Sequence, residues 1–106
     1  MDTIKATWIL EDGGKVEADI PLGHSFMQAA IAHNVIGILG ECGGSMACAT
    51  CHVHVESTPV ALNVPTAGEL EMLELGVEAP TAASRLSCQI FAAPALDGIV
   101  LRVGRF

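Results

Sequence analysis

The stretch Glu41-Cys42-Gly43-Gly44-Ser45-Met46-Ala47-Cys48-Ala49-Thr50-Cys51-His52-Val53 decides the reading of this 106-residue chain. It crowds three of the four cysteines into one short loop, spaced Cys42-x5-Cys48-x2-Cys51, and Cys88 arrives from a distant segment. The residues between the thiols are small, uncharged and rich in glycine, so the backbone can fold closely around a buried object. Its N–H groups can then point inward at sulfur. Three thiols in a loop and a fourth from elsewhere can wrap a small inorganic cluster.

Spacing alone leaves other uses of four cysteines open. Two structural disulfides would belong to an oxidising compartment and usually to a secreted chain. The start, Met1-Asp2-Thr3-Ile4-Lys5, has neither the basic region nor the apolar region of a secretory signal. A four-cysteine zinc site normally uses two knuckles, and here only Cys48 and Cys51 form one. Plant-type [2Fe–2S] ferredoxins use C-x4-C-x2-C with a distant fourth cysteine. This chain has one residue more in the first gap.

With that longer gap, the loop resembles the cluster loop of adrenodoxin- and putidaredoxin-type [2Fe–2S] ferredoxins. Further segments match in order: Glu69-Leu70-Glu71-Met72-Leu73 resembles the family's acidic helix, and Ser84-Arg85-Leu86-Ser87-Cys88-Gln89-Ile90 the segment bearing the fourth ligand. Asp97-Gly98-Ile99-Val100 resembles the last strand. The likeness spans nearly the whole chain and is nearest to bacterial members that serve cytochrome P-450 monooxygenases. It implies a [2Fe–2S] cluster held by Cys42, Cys48, Cys51 and Cys88. Cys42 and Cys48 would take the outer iron, Cys51 and Cys88 the inner one. With no open iron position, the chain is expected to move single electrons and to catalyse nothing.

Composition fits a small carrier forming a single domain over residues 1–106. Hydrophobic residues make up 51% of the chain, yet no run approaches the roughly 20 apolar residues that a membrane-spanning helix needs. The most apolar stretch, Ala29 to Gly40, is broken by His33, Asn34 and two glycines. We therefore expect no membrane contact and a cytoplasmic monomer.

Charge narrows the partners. The net charge is −7, and no lysine or arginine occurs between Lys15 and Arg85. That interval holds Glu17, Asp19, Glu41, Glu56, Glu69, Glu71, Glu74 and Glu78. Such a field argues against nucleic acid and favours steered association with basic protein surfaces. Glu17 and Asp19 fit plain solubility equally well. Glu71, Glu74 and Glu78, with Glu41 beside the first ligand, are the expected docking charges.

Periodicity gives an α+β chain. Ile4, Ala6, Trp8 and Leu10 alternate along a first strand, Asp12-Gly13 signals a hairpin, and Lys15 to Ile20 alternates as the returning strand ending at Pro21. Ser25 and Gln28 form a capping box opening a helix to about Asn34, and His52 to Val55 alternates as a short strand. Thr66 and Glu69 form a second capping box, starting a short helix to about Leu75 with Gly76 as its stop. The helical wheel turns Met72, Leu73 and Leu75 inward and Glu71 and Glu74 outward; Glu69 falls nearer the core and is assigned to the cap. Arg85 to Phe91 and Ile99 to Val103 complete a mixed sheet. The resemblance makes this a β-grasp, with one main helix and one short acidic helix.

His52 follows Cys51 directly. Replacement of cysteine ligands by histidine takes two histidines, so His52 is read as a hydrogen-bonding brace and not a ligand. His24, His33 and His54 receive no role, and Trp8 is a core residue. Phe106, an aromatic at the chain end, is either a frayed terminal residue or, as the resemblance to family members that serve P-450 enzymes implies, a partner contact. Two functions follow from the resemblance. The first is electron shuttling from an FAD-containing, NAD(P)H-dependent ferredoxin reductase to a bacterial cytochrome P-450. The second is electron donation in iron–sulfur cluster assembly.

Overall fold

The computed structural model describes residues 2–35, 38, 52–76, 81 and 83–104. Strand β1 (Thr3–Ile9) turns back through Asp12 and Gly13 into β2 (Lys15–Pro21), pairing antiparallel from Ile9 opposite Lys15 to Thr3 opposite Pro21. Asp12 Oδ1 accepts from the Gly14 N–H at 2.8 Å and so closes the turn. β2 runs one residue further than expected. Proline is tolerated there because β2 is an edge strand, where a missing N–H breaks no ladder.

Helix α1 (Phe26–Ala32) begins at the capping box read from the sequence. Ser25 Oγ accepts from the Gln28 N–H at 3.1 Å, and Gln28 Oε1 accepts from the Ser25 N–H at 2.9 Å. Asn34 adopts φ 56°, a left-handed conformation that stops the helix. β3 (His52–Ser57), α2 (Ala67–Gly76), β4 (Ser84–Leu86) and β5 (Ile99–Val103) follow.

The five strands order as β2-β1-β5-β3-β4. β1 and β5 run parallel, and the other neighbouring pairs are antiparallel. The first and last strands therefore meet in the middle, the mixed sheet of a β-grasp. Asp97 Oδ1 accepts from the Lys5 N–H at 2.8 Å, and Gly98, at φ 93°, donates to the Lys5 carbonyl at 2.8 Å. That turn requires glycine and delivers β5 into register with β1.

The buried residues follow from alternation. Ile4, Ala6 and Trp8 of β1 join Ile20 of β2, Ile99 and Leu101 of β5, Val53 of β3 and Phe26 of α1. Trp8 is wholly enclosed, and its Nε1 has no hydrogen-bond partner among the described residues. Among the described residues no helix is long and apolar enough to cross a membrane.

One sequence expectation changes. Arg85 to Phe91 is not one strand: β4 ends at Leu86 and the chain turns through a 3-10 helix, Ser87–Gln89. It then rejoins the fold elsewhere. Ile90 accepts from the Phe26 N–H at 2.9 Å and Ala92 donates to His24 at 2.9 Å, around a bridge between Ser25 and Phe91. These bonds hold the segment after Cys88 at the start of α1, and the turn is what redirects it there.

Candidate metal centre

Cys88 is the one proposed ligand among the described residues; Cys42, Cys48 and Cys51 lie outside them. It occupies the middle of the 3-10 turn and is buried. Its Sγ accepts a hydrogen bond from Gln89 Nε2 at 3.3 Å. The metal-binding form of cysteine is the thiolate, which accepts hydrogen bonds, and Gln89 Nε2 supplies one here.

The sheet brings the start of β3 beside the end of β4. His52, one residue after Cys51, pairs with Leu86, two residues before Cys88. The strand that follows the cysteine loop and the strand that leads to Cys88 are thus neighbours in the sheet.

His52 braces that end. Its ring is buried, Nε2 lies 2.9 Å from Ser84 Oγ, and its carbonyl accepts from the Gly104 N–H at 2.9 Å. The ring fills the space above Gly104. A Cβ at residue 104 would fall 2.7 Å from the His52 Cγ and Cε1 and nearer still to Nδ1. His54, given no role from sequence, belongs to the same network: Nδ1 lies 3.1 Å from Thr81 Oγ1 and 3.3 Å from Ser84 Oγ, and its ring meets that of His52 edge-on. Its place was hinted at by strand alternation, which puts residues 52 and 54 on one face.

Glu69 is the larger surprise. Thr66 Oγ1 accepts from the Glu69 N–H at 3.2 Å, so that half of the capping box is present. The Glu69 carboxylate, however, is buried and pairs with Arg85, at 2.7 Å to Nε and 3.2 Å to Nη2, while accepting from the Leu86 N–H at 3.0 Å. Arg85 Nη1 also donates to the Asn63 carbonyl at 2.8 Å. One buried pair therefore ties α2, β4 and the 58–65 loop together just before the ligand turn. Arg85, a lone cation set among small and apolar residues, was the available signal.

On the outer side of α2, Glu71 and Glu74 are exposed, as the wheel predicted, and Leu70 lies half exposed beside them. Glu74 lines a groove of ≈ 570 Å³ together with Leu70, Val64 and Leu62. Val64 is 84% exposed. Glu41, Glu78 and Phe106, the other expected partner-binding residues, lie outside the described residues.

Residues 9–93 match the family described as the 2Fe-2S iron-sulfur cluster binding domain. The chain belongs to that family. Within it, this ferredoxin is of the putidaredoxin type, an electron carrier and not an enzyme, with a [2Fe–2S] cluster as its cofactor. The zinc and disulfide uses of the cysteines are thereby set aside.

The ferredoxin is 46% identical to rhodocoxin of Rhodococcus erythropolis over 99 residues, covering 92% of each chain. It is 45% identical to putidaredoxin of Pseudomonas putida over 101 residues, covering 93% of this chain and 94% of that one. Its fold is similar to the structure described as the covalent putidaredoxin reductase-putidaredoxin complex, with a TM-score of 0.89 at 42% identity, covering 96% of this chain and 99% of that one.

Proposed function

We propose that this ferredoxin carries single electrons from an FAD-containing, NAD(P)H-dependent ferredoxin reductase to a bacterial cytochrome P-450 monooxygenase. It would work as a cytoplasmic monomer, with Cys42, Cys48, Cys51 and Cys88 holding the cluster. The observation that carries the reading is the likeness, over nearly its full length, to a putidaredoxin structure captured with its reductase. The P-450 end rests on the resemblance drawn from the loop and the acidic helix. When bound, the cluster supplies a site that takes up and gives back one electron at a time.

The chain's own part is to present that site to two partners in turn. Glu71 and Glu74 stand exposed on α2, whose Glu69 is pinned to the segment leading to Cys88. Their charge steers a basic surface toward this end of the molecule, and Leu70 and Val64 offer apolar contact once it arrives. Glu41, Glu78 and Phe106 are assigned to partner binding in the same reading. Encounters of this kind are fast and weak, which suits a shuttle that must let go.

The test is stopped-flow reduction of the oxidised ferredoxin by an FAD-dependent ferredoxin reductase, followed by transfer to a panel of P-450 enzymes. Reduction should slow with added salt, and Glu71→Gln with Glu74→Gln should slow it about three- to tenfold at low salt without altering the visible spectrum. Rates indifferent to both would remove the glutamates from docking. Ready reduction by the reductase with no transfer to any P-450 would shift the assignment to cluster assembly.

A further inference from the structure

The hydrogen bond from Gln89 to the Cys88 sulfur is more than local packing. Gln89 is half-buried, and its backbone is fixed from two directions. Its carbonyl accepts from Asn63 Nδ2 at 3.3 Å, and the 3-10 turn that contains it is closed by the Ile90 N–H donating to Ser87 at 3.4 Å. Asn63 is in turn held through its own carbonyl by Arg85. The side chain therefore leaves a pinned backbone and turns back onto the preceding residue's sulfur. Thiolate sulfur can only accept, so the amide must present Nε2 and not Oε1.

We propose that Gln89 tunes the reduction potential, its amide donating an N–H···S bond to Cys88 that favours the reduced protein. This rests on the reading of Cys88 as a cluster ligand. Hydrogen bonds to ligand sulfur are among the features that set the potential of such centres. The sulfur becomes more negative when one electron arrives from a reduced flavin donor. Gln89 then donates more strongly, breaking no bond and releasing no proton. Because the bond gains strength on reduction, it raises the potential, and its loss must lower it.

Gln89→Met keeps the bulk of the side chain and removes the donor. The Gln89→Met holoprotein should carry full iron and sulfide, melt near the parent, and be harder to reduce. Spectroelectrochemical titration should show its reduction constant lower by at least about threefold, roughly 30 mV at ~59 mV per decade for one electron. Gln89→Glu, which replaces the donor by an anion, should fall further. An unchanged potential in Gln89→Met, or a higher one in Gln89→Glu, overturns the proposal.

If Gln89→Met fails to assemble, pulsed EPR of the reduced parent protein, labelled with 15N in glutamine side chains, decides. Gln28 is the only other glutamine, and its amide oxygen is engaged in the α1 cap. A side-chain nitrogen coupling supports the bond, and its absence overturns it. Cys88→Ser tests the underlying ligand assignment separately: a native spectrum with full iron content there means Cys88 is no ligand, whatever Gln89 does.

Discussion

Two glutamate–arginine pairs hold this molecule at different depths. Glu69–Arg85 has side chains 1% and 8% exposed, whereas Glu56–Arg102, joined at 2.6 Å, has side chains 37% and 48% exposed. The exposed pair is as short as the buried one, yet it links only neighbouring strands already zipped by their backbones. The buried pair joins α2 to β4 and, through Asn63 and Leu86, fixes the approach to the ligand turn. Distance is thus a poor guide to what an ion pair does. Burial and the number of further bonds decide, because a buried charge that loses its partner cannot be rescued by water.

The sharpest way to break the comparison is Glu69→Gln. The cap reading drawn from sequence predicts a modest loss of stability from a weakened helix cap, about 1 kcal/mol or less. The clamp reading predicts a large one, since Arg85 keeps its charge and loses the anion. We expect Glu69→Gln to destabilise the holoprotein by about 3–5 kcal/mol, seen as a lower apparent melting temperature at fixed scan rate. Glu69→Leu with Arg85→Met should recover most of the loss, because replacing both charges leaves none stranded. A loss of only about 1 kcal/mol or less in Glu69→Gln would return Glu69 to the cap.

This pair also shows where the sequence stops speaking. Short-range patterns were legible: the hairpin at Asp12, the cap at Ser25 and the outward Glu71 and Glu74 all stand where local periodicity put them. Each is decided within a few residues of chain. Glu69 was read correctly as facing inward, but its partner lies 16 residues away on another element. A glutamate three residues after a threonine looks the same whether it caps its own helix or reaches across to an arginine. The 3-10 turn at Cys88 was hidden for a similar reason. The alternation of Leu86, Cys88 and Ile90 with Ser87 and Gln89 suits the strand expected from Arg85 to Phe91, and only pairing with His24 and Phe26 forces the bend. Of the candidate site, the proposed ligands come from the family likeness, while the His52, His54 and Ser84 network needed the fold.

Gly104 offers a test of burial without any charge. It joins the end of β5 to His52 by one backbone bond and by bare van der Waals contact with the ring. Gly104→Ala places a methyl group where the imidazole now lies, and the ring cannot yield freely while Nε2 is held by Ser84. Overpacking of this kind costs about 1–3 kcal/mol, less than stranding Arg85. A melting temperature equal to the parent's would mean that His52 moves aside without penalty.

The smallest effect should come from the exposed pair. The hydrogen bond from Arg102 holds the Glu56 carboxyl below its ordinary value of 4.5, against a slight opposing desolvation, and the Arg102 and His54 charges add to the lowering. A carboxyl depressed on folding stabilises the fold above its unfolded pKa and loses that contribution as pH falls through the folded one. Arg102 is shifted upward, chiefly by the same hydrogen bond, so its share is complete throughout the acid and neutral range and does not change near neutrality. Whatever separates the parent from Glu56→Gln should therefore stay constant from pH 7 to 5 and narrow only below about pH 4.5. At pH 7 it should also vanish in 1 M salt, where the screening length is about 3 Å. The loss from Glu69→Gln should persist there. Melting curves of parent, Glu56→Gln and Glu69→Gln with and without salt compare the two directly. If salt erases both differences alike, depth is not what separates the pairs; if it erases only the Glu56 one, the ligand turn is held by a bond that water does not reach.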